Sequence, residues 1–346
     1  MQQQKPVRTA IAGMSHGHVT WILRNWQRKD LDIAGFWEPD RALAQRYAEH
    51  FKFPLERVYS NLDEMLDAVK PEAVCAFGSI YDHLRVVEAC APRKIHVMVE
   101  KPLAVSLEHA GKMASLARAN GIHLITNYET TWYASTYAAR RIAVEEGALG
   151  PIRKVVVHDG HFGPVEIGCN PEFLAWLTDP VLNGGGAVVD FGCYGANLIT
   201  WLMAGAEPLT VTAVLQTLKP EVYLKVDDEA TLILTYPQAQ GIIQGSWNWP
   251  VGRKDMEIYG TSGYVVAVDD RTLRMRMRSD QAEKTQNLPP APALVSDPFT
   301  YLAAVVRGEE IVAPGNLWSL ENNLSVVKIL DAARLSAREG RTVRLG

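Results

Sequence analysis

Between Val7 and Ile125 the chain repeats one rhythm: a short apolar run, a turn, then a stretch with helical spacing. The runs "VRTAIAG", "LDIAGFW", "AVCAFG", "HVMVE" and "HLITN" alternate with segments such as "RALAQRYAEHF", "LDEMLDAV", "HLRVVEACA" and "LEHAGKMASLARAN". Each crossover returns the chain to the same end of the sheet, so strands joined in this way pair in parallel and carry helices on both faces. The expected fold of this part is an α/β doubly wound parallel sheet. Such a sheet binds ligands at the carboxyl ends of its strands.

After Asn127 the rhythm changes. A helical stretch, "ASTYAARRIAVEEGALG", closes on Gly147 and Gly150, the strand "IRKVVVH" follows, and a glycine-rich entry leads into the apolar helix "AVVDFGCYGANLITWLMAG". The runs "LTVTAVLQTL", "EATLILTY", "GIIQGSWNW", "DMEIYG" and "YVVAVD" then succeed one another with no helix between them, which predicts an α+β unit with a large, mostly antiparallel open sheet. A proline-rich crossing, "KTQNLPPAPALVSD", precedes two amphipathic helices, the last ending at Gly340. At 346 residues one core is not enough, and the expected division is 1–126 and 127–346, with the last helix free to pack back on the first part.

A net charge of -4 with scattered lysines and arginines gives no basic patch, so neither nucleic acid nor an anionic membrane is an expected partner. No window reaches the ~18 apolar residues of a membrane span. The opening "MQQQKPVRTAIAG" has no apolar segment before a cleavage site. The four cysteines form no C-x-x-C pair and read as free thiols. Together these features predict a cytoplasmic protein without a structural metal, acting on a small molecule.

The first strand runs into "IAGMSHGHVTWIL", where G-x-G-x-x-G would place three glycines and this chain has Gly13, Ser15 and His18. Gly13 still provides the tight turn, and backbone amides from Met14 to Gly17 still face a pyrophosphate at a helix start. His18 is the departure. It predicts a displaced helix, with Gly17 taking over the close packing of the third glycine. His16 and His18 lack a third ligand nearby in sequence, which argues against a metal. Glu38, 25 residues after Gly13, stands where an acidic side chain binds the ribose 2'-hydroxyl, favouring NAD over NADP; "EPD" is equally a turn, and Arg41 offers a route to NADP by folding back.

Two further stretches carry candidate chemistry. In "HVMVEKPLAV" a strand delivers Glu100 and Lys101 to the sheet's carboxyl edge, where they form either a site or an ordinary charged turn, and the Lys101–Pro102 bond is a candidate cis peptide. In "NGGGAVVDFGCYGANLITWL" Asp190, Tyr194 and Asn197 fall on one helical face, as a ligand site or as a cap with a buried tyrosine.

Together, "EKP" after a strand and "GGGAVVDFGCYG" further on resemble the glucose-fructose oxidoreductase, inositol dehydrogenase and MocA family. "DHLRVVEACAPRKIHVMVEKPLA", "EEGALGPIRKV", "VDDEATLILTY" and "EIYGTSG" extend the resemblance over nearly the whole chain. It implies a Rossmann domain followed by an open-sheet domain, a homodimer or homotetramer, and hydride transfer between a secondary alcohol of a sugar or cyclitol and a nicotinamide. Lys101 and Asp190 match the family's lysine and aspartate, and His83 its loop histidine near the nicotinamide. Tyr194 stands at the usual acid/base histidine, a variation found in sugar-type and dihydrodiol-type members. Asn197 replaces a frequent aspartate and cannot ionise.

The expected mechanism sets the substrate hydroxyl between Tyr194 as base and Lys101, whose ammonium would lower the phenol's pKa. Asn127, Trp132, His158, His161 and Trp176 are further candidates for the substrate cleft, whereas Trp247 and Trp249 read as sheet packing or a subunit interface. Two other functions fit the same residues: a glycosidase or lyase that oxidises its sugar transiently, and a non-catalytic ligand sensor.

Overall fold

The computed structural model describes residues 5–279 and 281–345. Six strands, β1 (Val7–Ala12), β2 (Leu31–Trp37), β3 (Val58–Tyr59), β4 (Ala73–Ala76), β5 (His96–Glu100) and β6 (Leu124–Asn127), form one sheet in the order β3-β2-β1-β4-β5-β6. Every pairing is parallel. β4 and β6 are buried at every residue, as a sheet covered on both faces requires. The strand order reverses between β1 and β4, which opens a crevice at their carboxyl ends.

Local chemistry sets the helix limits. Asp40 accepts hydrogen bonds from the Ala42 and Leu43 amides to start the helix Arg41–Phe51, and Lys52 ends it in the left-handed region. Ser106 and Gly121 do the same for Leu107–Asn120. The helix after β1 covers only Val19–Leu23.

Nine strands build the second sheet: β7 (Ile152–Gly160), β8 (Thr210–Gln216), β9 (Glu229–Thr235), β10 (Gln240–Ser246), β11 (Arg253–Gly260), β12 (Tyr264–Ala267), β13 (Thr272–Arg276), β14 (Lys284–Asn287) and β15 (Val343–Arg344). Their order is β14-β13-β12-β11-β7-β10-β9-β8-β15, antiparallel except where β7 and β10 run parallel. Strict alternation along β9 and β10 turns one face inward, against the buried helix Gly192–Leu202. The helix Leu320–Glu339 packs on that helix and also reaches β6 and Leu107–Asn120. There Arg118 pairs with Glu321 at 3.1 Å, and the Leu107 amide donates to Asp331 at 2.8 Å. A single helix therefore touches both sheets. Among the described residues no helix is long and apolar enough to cross a membrane.

The stretch expected as one helix from Ala187 onward is two, Ala187–Asp190 and Gly192–Leu202, broken at Phe191. The Asp190 carbonyl explains the break, because it accepts from Lys101 Nζ at 2.8 Å and from Cys193 Sγ at 3.3 Å. The preceding glycines meet a distant partner. A Cβ on Gly186 would lie 1.8 Å from the Asp227 carbonyl oxygen, and the buried Asp227 carboxylate accepts from the Gly186 and Val188 amides at 2.9 and 2.7 Å. Asp227 thus caps a helix some forty residues upstream in the chain. Asp227→Ala leaves both buried amides without an acceptor and is expected to cost about 1–3 kcal/mol, read as a lower urea midpoint at unchanged slope.

Candidate active site

Strand β5 carries Glu100 and Lys101 to the carboxyl edge of the first sheet, and the Lys101–Pro102 peptide is cis. Lys101 is buried and its ammonium lies 2.5 Å from Asp190 Oδ1. The other Asp190 oxygen accepts from the Trp247 indole N–H at 3.0 Å. Burial alone would raise the Asp190 carboxyl, but Lys101, His161 and Trp247 outweigh it and hold it below the usual range. Burial likewise acts to depress Lys101, and the Asp190 charge reverses that, so its ammonium is firmly retained. The pair is ionised and joins the two halves of the fold.

Tyr194 lies beside this pair, with Lys101 Nζ 5.1 Å and Lys254 Nζ 4.5 Å from its ring centre. The expectation that Lys101 lowers its pKa is overturned. Burial, with the nearby carboxylates Glu129 and Asp159, pushes the phenol well above its ordinary value, because the Lys101 charge is already spent on Asp190. The resting phenol keeps its proton.

The loop after β1 holds a second network. Gly13, at φ +82, sits so close to Gly78 that a Cβ would lie 2.7 Å from that amide nitrogen. One expectation for the loop is corrected. A Cβ on Gly17 would meet nothing within 4 Å, so Gly17 does not replace the third glycine in packing. The part-buried His18 ring lines the cleft just before the helix start, stacks on Trp21 at 3.8 Å and places Nδ1 3.0 Å from Glu100.

Glu100 is fully buried beneath His16 and His18 and accepts from Asn127 at 2.7 Å. Burial would raise its carboxyl, yet the two imidazoles and the Asn127 amide bring it down to about 2. Glu100 is thus the third potential ligand that the sequence did not place near His16 and His18. The proton inventory still opposes a metal. His16 Nδ1 accepts from the His18 amide at 3.1 Å, so the neutral ring carries its proton on Nε2, the atom facing Glu100. Met14 and Ser15 lie in the same loop, and the Met14 amide donates to Glu38 at 2.8 Å. Glu38 also takes the Asp40 amide, and Arg41 is exposed.

The remaining candidates divide. His161 lines a cavity of about 360 Å³ together with Lys101, Asp190, Tyr194, Glu129 and Lys254. Its Nδ1 accepts from the Gly163 amide at 2.9 Å, and burial lowers its pKa, so the neutral ring offers an Nε2–H donor. Trp176 stacks on His16 at 5.5 Å, from the helix Pro171–Leu177, whose Glu172 is bound by Arg46 and Tyr47.

Four expected placements fail. His83 is buried beneath the Lys101 turn, bonded to the Leu103 carbonyl at 3.1 Å and depressed by burial to about 4. Asn127 stands behind Glu100 and accepts from the Trp132 indole N–H at 2.8 Å, while half-buried Trp132 itself lines a cavity of about 460 Å³ that shares Glu129 with the cleft. His158 points away from the cavity and is bound by Asp255 at 3.0 Å. Asn197 is buried against the Leu317 carbonyl at 2.7 Å, nearly two turns beyond Asp190 and past the helix break.

Four residues were missed: Trp247, Glu129, Asp159 and Lys254. Trp247 is fully buried on Asp190 and is not a surface aromatic. Asp159 was legible by phase, because on β7 it shares the inward face with buried Val155 and Val157 while His158 does not. Lys254 faces Asp159 directly across the β7–β11 ladder.

Fold, crevice and loop define a Rossmann-type sheet with a nucleotide-binding turn at its switch point. Residues 7–128 match the model of the GFO/IDH/MocA oxidoreductase family with an NAD-binding Rossmann fold, and residues 137–266 match a GFO/IDH/MocA C-terminal domain. The chain belongs to that family. It is 26% identical over 286 residues to trans-1,2-dihydrobenzene-1,2-diol dehydrogenase of Bos taurus, covering 81% of this chain and 79% of the relative. In structure it is similar to an aldose-aldose oxidoreductase of Caulobacter crescentus complexed with glycerol, with TM-score 0.82, 24% identity and coverage of 98% of this chain and 100% of that one. An inositol dehydrogenase homolog of Azotobacter vinelandii complexed with NAD+ superposes with TM-score 0.86 at 18% identity, over 99% of this chain and 98% of that one.

The loop fits that cofactor. Gly13 makes the turn, Gly17 leaves its backbone open, and the Glu38 carboxylate stands at the end of β2.

Acid stability provides a check on the Glu100 network. The folded carboxyl titrates near 2 against an ordinary 4.5, so its contribution is complete above the unfolded value and is lost as pH falls from about 4.5 to about 2. Glu100→Gln is expected to flatten that decline by up to about 3 kcal/mol in urea titrations at stepped pH.

Proposed function

We propose that this chain is an NAD-dependent dehydrogenase acting on a secondary hydroxyl or carbonyl of a sugar, cyclitol or related polyol. The observation that carries this reading is the buried Lys101–Asp190 ion pair beside the Tyr194 phenol, at the carboxyl edge of a parallel sheet and in the wall of a 360 Å³ cavity. The names of the relatives, a diol dehydrogenase, an aldose oxidoreductase and an inositol dehydrogenase homolog, agree with that substrate class.

NAD supplies the hydride acceptor or donor when bound, and the residues that would hold it are the Ser15 and Gly17 amides, Gly13 and Glu38, whose carboxylate repels a 2'-phosphate, the Met14, His16 and His18 amides being bonded to Glu38, Phe77 and His16. The protein's own part is oxygen chemistry. Lys101 keeps its charge and offers the N–H not used on Asp190 to the reacting oxygen. Tyr194 offers its phenol proton, and His161 its Nε2–H. Donors therefore converge on one oxygen, an arrangement that stabilises a developing alkoxide and protonates it when a carbonyl is reduced. Trp247 and Asp190 position Lys101. His16, His18, Asn127 and Trp132 act through Glu100, which holds the turn that presents Lys101.

Lys101→Ala and Tyr194→Phe are each expected to lower kcat at least about a hundredfold. Full turnover in both would remove the site assignment. The assay uses sugars, cyclitols and aryl glycosides, following nicotinamide absorbance and product together. Net NADH formation supports the dehydrogenase. Aglycone release without net NADH supports a glycosidase or lyase, and tight ligand binding with neither supports a sensor.

The pH dependence has a definite sign. Tyr194 is raised, so its proton is present at neutral pH and lost only in alkali. Carbonyl reduction is expected to hold level through neutral pH, while alcohol oxidation climbs with pH as the phenolate forms. Tyr194→Phe removes the climb.

A further inference from the structure

A second ion pair crosses the cleft. Glu129 follows β6 of the first sheet, and both of its carboxylate oxygens are fixed, one by the Tyr133 hydroxyl at 2.6 Å and the other by Lys254 Nζ at 2.6 Å. Lys254 comes from β11 of the second sheet, opposite Asp159, with its ammonium 3.9 Å from that carboxyl. The same ammonium lies 4.5 Å from the centre of the Tyr194 ring, nearer than Lys101 Nζ at 5.1 Å. Glu129, Lys254 and Tyr194 line one cavity. The side chains of Glu129 and Lys254 are 34% and 23% exposed, against 8% and 6% for Asp190 and Lys101, so this pair faces the cleft where the other is sealed beneath it.

The other ionisable groups around the phenol are committed elsewhere. Beside it in the chain, Asp190 is bound by Lys101 and Trp247, and burial pushes the Cys193 thiol up. From the first sheet, Glu100 is held by His18 and Asn127, and the buried Tyr128 phenol, also pushed up, meets Tyr194 edge-on with ring centres 5.3 Å apart. Burial depresses His16 and His161, which leaves neutral rings. Asp159 is enclosed, and burial pushes its carboxyl well above the ordinary range. Glu129 and Lys254 are left as opposite charges whose balance reaches the phenol. After burial itself, the Glu129 charge is the largest influence that keeps the Tyr194 proton in place.

We infer that the Glu129–Lys254 pair governs the proton of Tyr194: the Glu129 carboxylate keeps it on the phenol, and the Lys254 ammonium stabilises the phenolate once it has left. For the use of that proton this rests on the proposed dehydrogenase reading. In alcohol oxidation the substrate's hydroxyl proton passes to the Tyr194 oxygen as hydride leaves the same carbon for NAD, and carbonyl reduction returns both. Glu129 and Lys254 act on that exchange through Tyr194 and are positioning residues. Lys101 does not take the part of Lys254, because its ammonium already donates to the Asp190 carboxylate and to the Asp190 carbonyl. Opposite charges beside one phenol set its titration by their difference, so removing either moves it in the opposite sense.

The test titrates full-length protein by the ultraviolet absorbance of tyrosinate, taking the difference between each form and the same form carrying Tyr194→Phe. Glu129→Gln keeps the shape of the side chain, removes its charge, and is expected to bring the Tyr194 titration down by at least about one pH unit. Adding Lys254→Met to that variant should move the titration back up by about as much. Oxidation of myo-inositol with NAD should level off at the lower pH in Glu129→Gln and at the higher one in the double variant. Thermal melting establishes that each variant is folded, and if the double variant fails to fold, Glu129→Gln alone decides. A titration unmoved in Glu129→Gln, or one that falls further when Lys254→Met is added, overturns the inference. So does an equal loss of turnover at every pH without a shift, the mark of a structural role. Failure of the underlying reading shows differently: the titration moves as expected while neither myo-inositol nor D-glucose is oxidised at any pH, and the pair's hold on the phenol stands without a dehydrogenase to use it.

Discussion

The Lys101–Asp190 ion pair holds the site together. Lys101 ends a strand of the first sheet and Asp190 ends a short helix above the second, so their contact fixes how the two halves meet at the cleft. Two charges out of water are a poor source of stability, because desolvation offsets most of their attraction. Their worth lies in geometry. The same ammonium takes the Asp190 carbonyl and breaks the helix at Phe191, which turns Tyr194 onto the Lys101 charge. Removing Lys101 leaves the buried Asp190 carboxylate with the Trp247 indole alone, and removing Asp190 leaves the buried ammonium without its counter-charge and that indole without its acceptor.

The loop after β1 shows how a phosphate-binding turn tolerates lost glycines. Only Gly13 meets a steric limit that a side chain would violate, and it is retained. The His18 ring is accommodated between Trp21 and Glu100, so the third glycine was dispensable here. The two imidazoles instead brace Glu100, one residue before Lys101. A change in the nucleotide loop is therefore felt at the Lys101 turn, and the two motifs form one unit. Trp176 and Phe173 close over His16 from the second half of the chain and extend that unit further.

Much of the fold was legible in the sequence because periodicity records burial. The strand and helix rhythm up to Ile125 gave the parallel sheet, and uninterrupted strands gave the mostly antiparallel one, with the parallel β7–β10 pairing as the exception that local pattern does not encode. The site was legible where motif and chain direction agreed, as at Lys101, Asp190 and Tyr194. It failed where residue type was allowed to outrank phase. His158 drew attention as an imidazole, yet it sits on the wrong face of β7, while Asp159 beside it points inward. Asn197 looked like a site residue on an ideal helix, and a helix break set by a tertiary hydrogen bond moved it away. The partnership of Trp247 with Asp190 had no local signal, since it joins residues from separate elements.

Proton accounting then shows what the cleft is built to stabilise. An ammonium, a phenol and an imidazole all line the cavity proposed for the reaction, and each is kept protonated by its surroundings: Lys101 by Asp190, Tyr194 by burial, and His161 Nε2 by the Gly163 amide on its other nitrogen. A site built from donors favours the oxygen that is gaining negative charge over the hydroxyl it came from, which is the differential binding that catalysis requires. Among the buried carboxyl groups around this cleft, Asp190 and Glu100 are engaged in hydrogen bonds, whereas neither Asp159 oxygen has a hydrogen-bond partner among the described residues and burial pushes that carboxyl well above its ordinary range.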